Sequence, residues 1–403
     1  MELIARMEYL AIVMIIASGP YLSSHFVSTV ERNRWPVVDA GGAAECGMGG
    51  RVRFIDSGEA AERVRSRPDC RVLTSGEHAL AWVDKELAGT GAERATQRFK
   101  DKVAFREAAR PVFPDIVFRE LSMDQLEDFS PDLSMYPFVI KPAVGFFSIG
   151  VRTVHTPFGW TAVRRQIGHD IAAARAYFPE HMLSQTRLMI ESYIEGEEFA
   201  VDGYYDAEGR PVVLNALHHR YADPADVSDR LYVSSRKIVE AIAPAARELL
   251  AAINPDRVIR NFPLHAEFRQ EAGGRLVPIE VNPMRFGGWC TTGDFANFAW
   301  GFNSYELFMD SARPDWASIY RGRETQQFGL VVLDNRTGIA RDEIRSFDYE
   351  ALLERFSKPL HLARIDYRKF PLFGVLFVET PVGHEAELEW ILRSSLSEFV
   401  TRE

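Results

Sequence analysis

The sequence predicts a protein of two textures, α/β at the N-terminus and α+β beyond it. Three observations lead there. Over residues 8–95 short apolar runs alternate with helical patterns, the order expected of parallel strands joined by crossovers. Beyond residue 98 strands come as hairpins, with turn residues at Asp206–Gly209 and Gly273–Gly274. The 403 residues, 46% hydrophobic and 26% charged, suit several packed domains.

The elements follow in order. YLAIVMIIA (9–17) is a buried first strand. It is too short to cross a bilayer, which takes about 20 residues. The segment before it has no excess of base, and SGPYLSSHF offers no cleavage site, so a secretory signal is not expected. PYLSSHFVSTVERN reads as a helix, and WPVVDA, VRFIDS and CRVLTS as short strands. EHALAWVDKEL places Ala79, Trp82, Val83, Glu86 and Leu87 at helical spacing. No G-x-G-x-x-G follows the first strand, and GGAAECGMGG (41–50) reads as a loop. FKDKVAFREAARP (99–111) is one helix ended by Pro111.

PFVIKP (137–142) and GVRTVHT are strands around a glycine-containing loop. A helix runs from Trp160 to about Phe178, and RLMIESYI (187–194) is a strand leading to a bend at Gly196. Two strands then flank Asp206–Gly209, a helix runs through Pro244, and HAEFRQEAGGRLVPIEVN (265–282) forms a hairpin. From Gln327 onward, FGLVVLD, LFGVLFVE, DYEALLERF and EAELEWILRSSLSEF make a small α+β piece.

The formal net charge of −10 argues against a broad nucleic-acid or anionic-membrane footprint. Cys46, Cys70 and Cys290 are widely spaced and odd in number, so neither a disulfide framework nor a metal cluster is expected. The expected compartment is the cytoplasm.

The hairpin raises a chemical question. A two-residue Gly273-Gly274 turn pairs Ala272 with Arg275, Phe268 with Ile279, Glu267 with Glu280, and His265 with Asn282. Two glutamates then face each other at roughly 5 Å, which is destabilising for like charges. Asn282 shares their face. Water on that face would relieve the repulsion. However, Phe268, Ile279 and Val281 are apolar, so the strands are core-packed and the charged face lines a cleft. Three hard oxygen ligands there suit Mg²⁺, which also takes phosphate oxygens. Lys141, at the end of an apolar strand beside Gly145 and Gly150, can place its ammonium on phosphate. A surface lysine snorkelling at a strand end is the plain alternative. The four glutamates of ESYIEGEE (191–198) make either a solvated turn or acceptors for a base and a ribose.

Taken together, these residues resemble the ATP-grasp superfamily over about residues 98–310. The motifs run in order: DK, then FVIKP with a glycine loop, then E-x-x-φ-x-G-x-E, then H-x-E-F, then E-φ-N-P-x-R-x-x-G. The resemblance implies an ATP-grasp fold with a Rossmann-like α/β domain before it (1–97), a central and lid subdomain (98–190), a C-terminal subdomain (191–325) and an α+β extension (326–403). It implies ATP as cofactor, held by Lys102, Lys141 and Ser148 at the phosphates. Glu191, Tyr193 and Ile194 would serve the adenine, and Glu198 the ribose. Glu267, Glu280 and Asn282 would hold Mg²⁺ or Mn²⁺. Arg285, with Lys141, would act on the transferred phosphoryl group. Arg220, Arg285, Gly287 and Gly288 are the substrate candidates, and Cys290 reads as a packed residue. The lid departs from the family pattern, with Phe146 and Phe147 at its tip.

The activity implied is a carboxylate–amine ligase acting through an acyl phosphate on small molecules such as amino acids, with no nucleic acid or membrane partner and room for a homodimer. A kinase on the same scaffold and a non-catalytic nucleotide-binding module stay open as alternatives. No biotin-carrier Met-Lys-Met segment is present.

Overall fold

The run VMIIA buries all five of its residues, as a strand covered on both faces does. This strand, β1 (Val13–Ala17), lies between β2 (Val37–Asp39) and β3 (Arg71–Thr74), parallel to both. The computed structural model of the protein describes residues 8–145, 150–174, 187–223, 226 and 228–402. Helices Ser24–Asn33 and Ser57–Ser66 fall between these strands in the chain, as the alternating pattern predicts. The segment VRFIDS does not form the expected strand. Only a bridge from Val37 to Phe54 forms, because the Asp56 carboxylate accepts the N–H groups of Gly58 and Glu59 and starts a helix.

The sequence predicts one helix over 99–111, but the chain makes two, Gly91–Lys100 and Lys102–Ala109. Asp101 divides them. Its backbone is extended, and its carboxylate accepts from Val103 and Ala104, an N-cap that competes with continued helix. Lys102 thereby opens the second helix, with its side chain buried.

A four-stranded antiparallel sheet follows. Its strands β4 (Phe118–Ser122), β5 (Phe138–Pro142), β6 (Arg152–Val154) and β7 (Arg187–Ser192) lie in the order β4-β7-β5-β6. Helix Pro157–Ala174 packs against β6. The expected end of that helix at Phe178, and the loop residues Phe146, Phe147 and Ser148, lie outside the described residues.

Residues 193–196 then carry the chain into an eight-stranded antiparallel sheet. It contains β8 (Glu197–Tyr205), β9 (Pro211–Arg220), β10 (Leu231–Ser235), β11 (Phe262–Gln270), β12 (Leu276–Pro283) and β13 (Gln327–Asp334). A separate pair, β14 (Ile344–Phe347) with β17 (Val400–Arg402), brackets the strands β15 (Pro359–Arg364) and β16 (Leu372–Thr380) in the chain. The large sheet's order is β12-β11-β8-β9-β10-β13-β16-β15. The C-terminal strands therefore extend the same sheet that carries the carboxylate hairpin. Helix Arg236–Ile253 packs on β9 and buries Val239, Ile242, Ala246, Leu249, Leu250 and Ile253, one face at helical spacing. Pro244 lies on its exposed side, and the helix runs through it. Among the described residues, no helix is long and apolar enough to cross a membrane.

Arg230 ties the C-terminal segment to this sheet. It is fully buried, bonds the Asp334 carboxylate and the Asp334 carbonyl (3.2 Å), and donates to the carbonyls of Ile391 (3.2 Å) and Ser394 (3.0 Å). Truncating one partner of such a pair strands the other's charge and several acceptors. Arg230→Ala should lower stability by about 3 kcal/mol or more in urea unfolding; a loss under about 1 kcal/mol would mean the clamp is not structural.

Candidate active site

The hairpin β11–β12 does place Glu267 opposite Glu280 and His265 opposite Asn282. It reaches this register by a route the sequence reading did not predict. The turn holds three residues, Ala272–Gly274, closed by Glu271 N–H to Arg275 O and with Gly274 left-handed at φ 83°. Phe268 therefore pairs with Pro278, not Ile279, and Ala272 does not pair with Arg275. A bulge between Glu267 and Phe268 absorbs the extra residue and restores the predicted pairing beyond it. Without that bulge a one-residue slip would turn Glu280 to the other face of the sheet.

Cations surround the pair unevenly. Lys102 Nζ lies 3.0 Å from Glu280 Oε2 and donates to Gly145 O at 3.0 Å. Burial disfavours the Glu280 carboxylate, but Lys102, Lys141 and Arg285 outweigh it and bring its pKa down to about 2. Burial likewise works against the Lys102 ammonium, and Glu280, Glu77 and Glu267 together raise its pKa. Glu267 has no comparable partner. Burial, then Glu280, Glu198 and Asp229, push its carboxyl well above the ordinary range. The Glu267 side of the pair is thus short of positive charge. Among the described residues, no three His, Cys, Asp or Glu side chains form a metal cage. Two carboxylates with a charge deficit still fit a divalent ion that draws its other ligands from phosphate and water.

Asn282 bridges the pair. Its Nδ2 donates to Glu267 Oε1 and Glu280 Oε1, each at 3.3 Å, while its Oδ1 accepts from Arg285 Nη2 at 2.8 Å. An amide ligating a cation would have to turn its oxygen inward. Arg285 also donates to the carbonyls of Phe286 and Gly288 and lies 3.5 Å from Glu77. Met284, just before it, is left-handed at φ 58°, a strained conformation for a side-chain-bearing residue. Thr74 anchors this point by donating both its N–H (2.8 Å) and its hydroxyl (3.0 Å) to Met284 O. The N-terminal sheet thus docks beside Arg285. Behind the hairpin, Asp202 accepts from His265 Nδ1 at 2.8 Å and from Gly287 N–H at 3.2 Å.

A second cluster sits on β5 and β7. Glu191 is 3% exposed, with Lys141 Nζ 2.6 Å from one oxygen and Arg106 Nε 2.5 Å from the other. Burial works against the charge on Glu191, but Lys141 and Arg106 hold its pKa below the usual value. Burial dominates at Lys141 and lowers its pKa, against the pull of Glu191. The reading of the sequence missed Arg106. A signal was present, since Arg106 lies four residues after Lys102 on one helix and so shares its face.

The third cluster surrounds Glu198. His219 Nδ1 (2.9 Å) and Tyr221 Oη (2.8 Å) reach one oxygen, and Arg269 (3.3 Å) the other. Arg269 also donates to Ile194 O at 2.9 Å and stacks over Tyr193 at 5.2 Å. Gly196, between the two sheets, has φ 133°, and a β-carbon there would come within 2.0 Å of Gln270 O; only glycine fits. Arg220 is not brought to these clusters. It follows His219 on β9, points to the other face, and pairs with Glu389 at 2.5 Å. Gly287 and Gly288 do sit beside Arg285. Cys290 is buried, its thiol pushed up to about 12 by burial, which suits packing and not nucleophilic attack.

The Glu198–His219 pair makes stability depend on pH in a set direction. Burial opposes charge on His219, but Glu198 and Asp229 raise its pKa above the ordinary value. Its contribution is therefore complete below the unfolded pKa of about 6.5 and lost as pH rises through the raised one. His219→Gln should flatten the fall in urea midpoint between pH 6 and pH 9; an unchanged slope would mean the pair does not carry it.

Comparison with known proteins places this arrangement. Residues 134–293 match the model of the ATP-grasp domain. The structure is similar to L-amino acid ligase from Bacillus licheniformis, with 17% identity, a TM-score of 0.66, and 97% of this chain and 98% of that one covered. It is also similar to N5-carboxyaminoimidazole synthase from Aspergillus clavatus, solved with ADP and 5-aminoimidazole ribonucleotide (15% identity, TM-score 0.62, 96% and 98% covered). N5-carboxyaminoimidazole ribonucleotide synthetase from Thermotoga maritima is a third (14% identity, TM-score 0.60, 96% and 99% covered). A search of curated proteins finds no significant match. Residues 134–293 are thus an ATP-grasp domain, and the chain as a whole has the ATP-grasp fold.

Proposed function

We propose that this chain is an ATP- and Mg²⁺-dependent carboxylate–amine ligase. It would activate a substrate carboxylate as an acyl phosphate and join it to an amine, releasing ADP and phosphate. The observation that carries the reading is the convergence of Lys102, Lys141 and Arg285 on a face holding the opposed Glu267 and Glu280. Whole-length similarity to an L-amino acid ligase supports it.

In this reading, the nucleotide lies between the four-stranded and eight-stranded sheets, which are joined through residues 193–196. Ile194 offers backbone groups to the base, Glu191 accepts from its amino group, and Glu198 binds the ribose hydroxyls. Lys102 and Lys141 bind phosphate oxygens, and Lys141 exchanges its bond to Glu191 for one to phosphate. A divalent ion held by Glu267, Glu280 and Asn282 would supply the positive charge that phosphoryl transfer requires. Arg285 stays beside the reacting carboxylate and stabilises the charge that develops there. Glu77 steadies Arg285 from the N-terminal unit, and Gly287 and Gly288 leave room for the substrate. The carboxylate attacks the γ-phosphorus and ADP departs. The amine then attacks the acyl carbon, phosphate leaves, and the amine's proton passes to solvent or a nearby base.

The test is phosphate release from ATP and Mg²⁺ with amino acids supplied singly and in pairs. Release should require a carboxylate, and amide product should require an amine as well. Release indifferent to every carboxylate would sink the ligase reading, and phosphate transfer to a hydroxyl would point to a kinase. Lys141→Ala, Glu280→Gln and Arg285→Met should each cut turnover at least about 100-fold, with cooperative unfolding retained. Wild-type rates in any of them would remove that residue from its role.

A further inference from the structure

Arg106 has no role in the account above, yet it is the most enclosed cation of the site, at 2% exposure. From the helix Lys102–Ala109 it reaches two different sheets. Its Nε donates to Glu191 on β7, and its Nη1 donates to Pro278 O on β12 at 2.5 Å. Pro278 pairs with Phe268, directly below the bulge that brings Glu280 across from Glu267. The third nitrogen, Nη2, is buried without a hydrogen-bond partner. Nε and Nη2 share one edge of the planar guanidinium, the edge that grips carboxylates in a fork. Glu191 is therefore held by one prong of two.

The spare prong has a chemical use. Glu191 now has one cation on each oxygen, Lys141 and Arg106. Once phosphate draws Lys141 away, a buried carboxylate would lose half its support, and an isolated buried charge is costly. An arginine stays charged under all ordinary conditions and has a rigid donor geometry, which a lysine lacks.

We propose that Arg106 is a positioning residue for nucleotide selection. It holds Glu191 in place when Lys141 turns to the phosphates, and its bond to Pro278 O secures the β12 bulge that sets the carboxylate register. The ligand acted on is an adenine nucleotide, because a carboxylate facing the base accepts from adenine's amino group and repels guanine's carbonyl oxygen. This inference rests on the ATP-dependent reading and adds Arg106 to it.

The test measures dissociation constants for ATP and GTP, with Mg²⁺, in the full chain and in Arg106→Met, Arg106→Lys and Glu191→Gln. Arg106→Met should weaken ATP at least about tenfold and shrink the preference over GTP by a similar factor. Arg106→Lys, which keeps the charge but not the fork, should recover only part of the loss. The double variant Arg106→Lys with Glu191→Gln should lose less than the two single losses combined, since both act through one contact. Equal weakening of ATP and GTP, or fully additive losses, would reduce Arg106 to a structural residue and overturn the proposal. Should Arg106→Met fail to unfold cooperatively, Arg106→Lys and the cycle decide the matter. A wild type that binds no ATP defeats the functional reading itself. A wild type that binds ATP with an unaffected Arg106→Lys defeats only this inference.

Discussion

Two glutamates held face to face on neighbouring strands are the constraint around which the rest is arranged. Glu267 and Glu280 repel, and packing under the hairpin denies them the freedom to part. The chain answers on one side only. Lys102, Lys141 and Arg285 bring the Glu280 pKa down to about 2, whereas Glu267 is left with burial and three acidic neighbours. Such an imbalance costs stability in the empty protein. It also prepares a place where added positive charge is strongly favoured, and active sites are where such perturbed acids cluster.

Distant parts of the chain meet at this point. Asp101 breaks a helix so that Lys102 can begin a new one beside Glu280. Thr74, at the end of a parallel strand, secures the carbonyl of the strained Met284 next to Arg285. Asp202 ties His265 and the Gly287 backbone together behind the hairpin. Arg106 connects the helix, β7 and the bulged strand. Because each contact joins elements far apart in sequence, the site depends on the relative placement of the three large sheets and not on any one of them.

Much of this was legible in the residues. Alternation along β11 and β12 put Glu267, Glu280 and Asn282 on one face, and the position of Lys141 at the end of FVI placed it beside the cleft. The two-residue turn was wrong by one residue, and the register survived because a bulge compensated. Bulges leave little trace in a pattern of alternating polarity, and a second one, between Asp202 and Gly203, likewise sets the pairing of His219 with Glu198. Arg106 went unseen because an arginine on an amphipathic helix usually faces solvent, and only tertiary packing buries this one. The attachment of β13 and β16 to β10 was equally hidden, since local periodicity reports a strand's faces but not its neighbours.

The central claim is that a divalent ion shared with nucleotide phosphates makes the carboxylate pair tolerable. The most direct test is a crystal structure with Mg²⁺ and a nonhydrolysable ATP analogue. The account predicts an oxygen from Glu267 and one from Glu280 within about 2.1 Å of a common ion, with the Asn282 amide turned oxygen-inward. Carboxylates bent away from each other, with nucleotide bound and no ion between them, would contradict it.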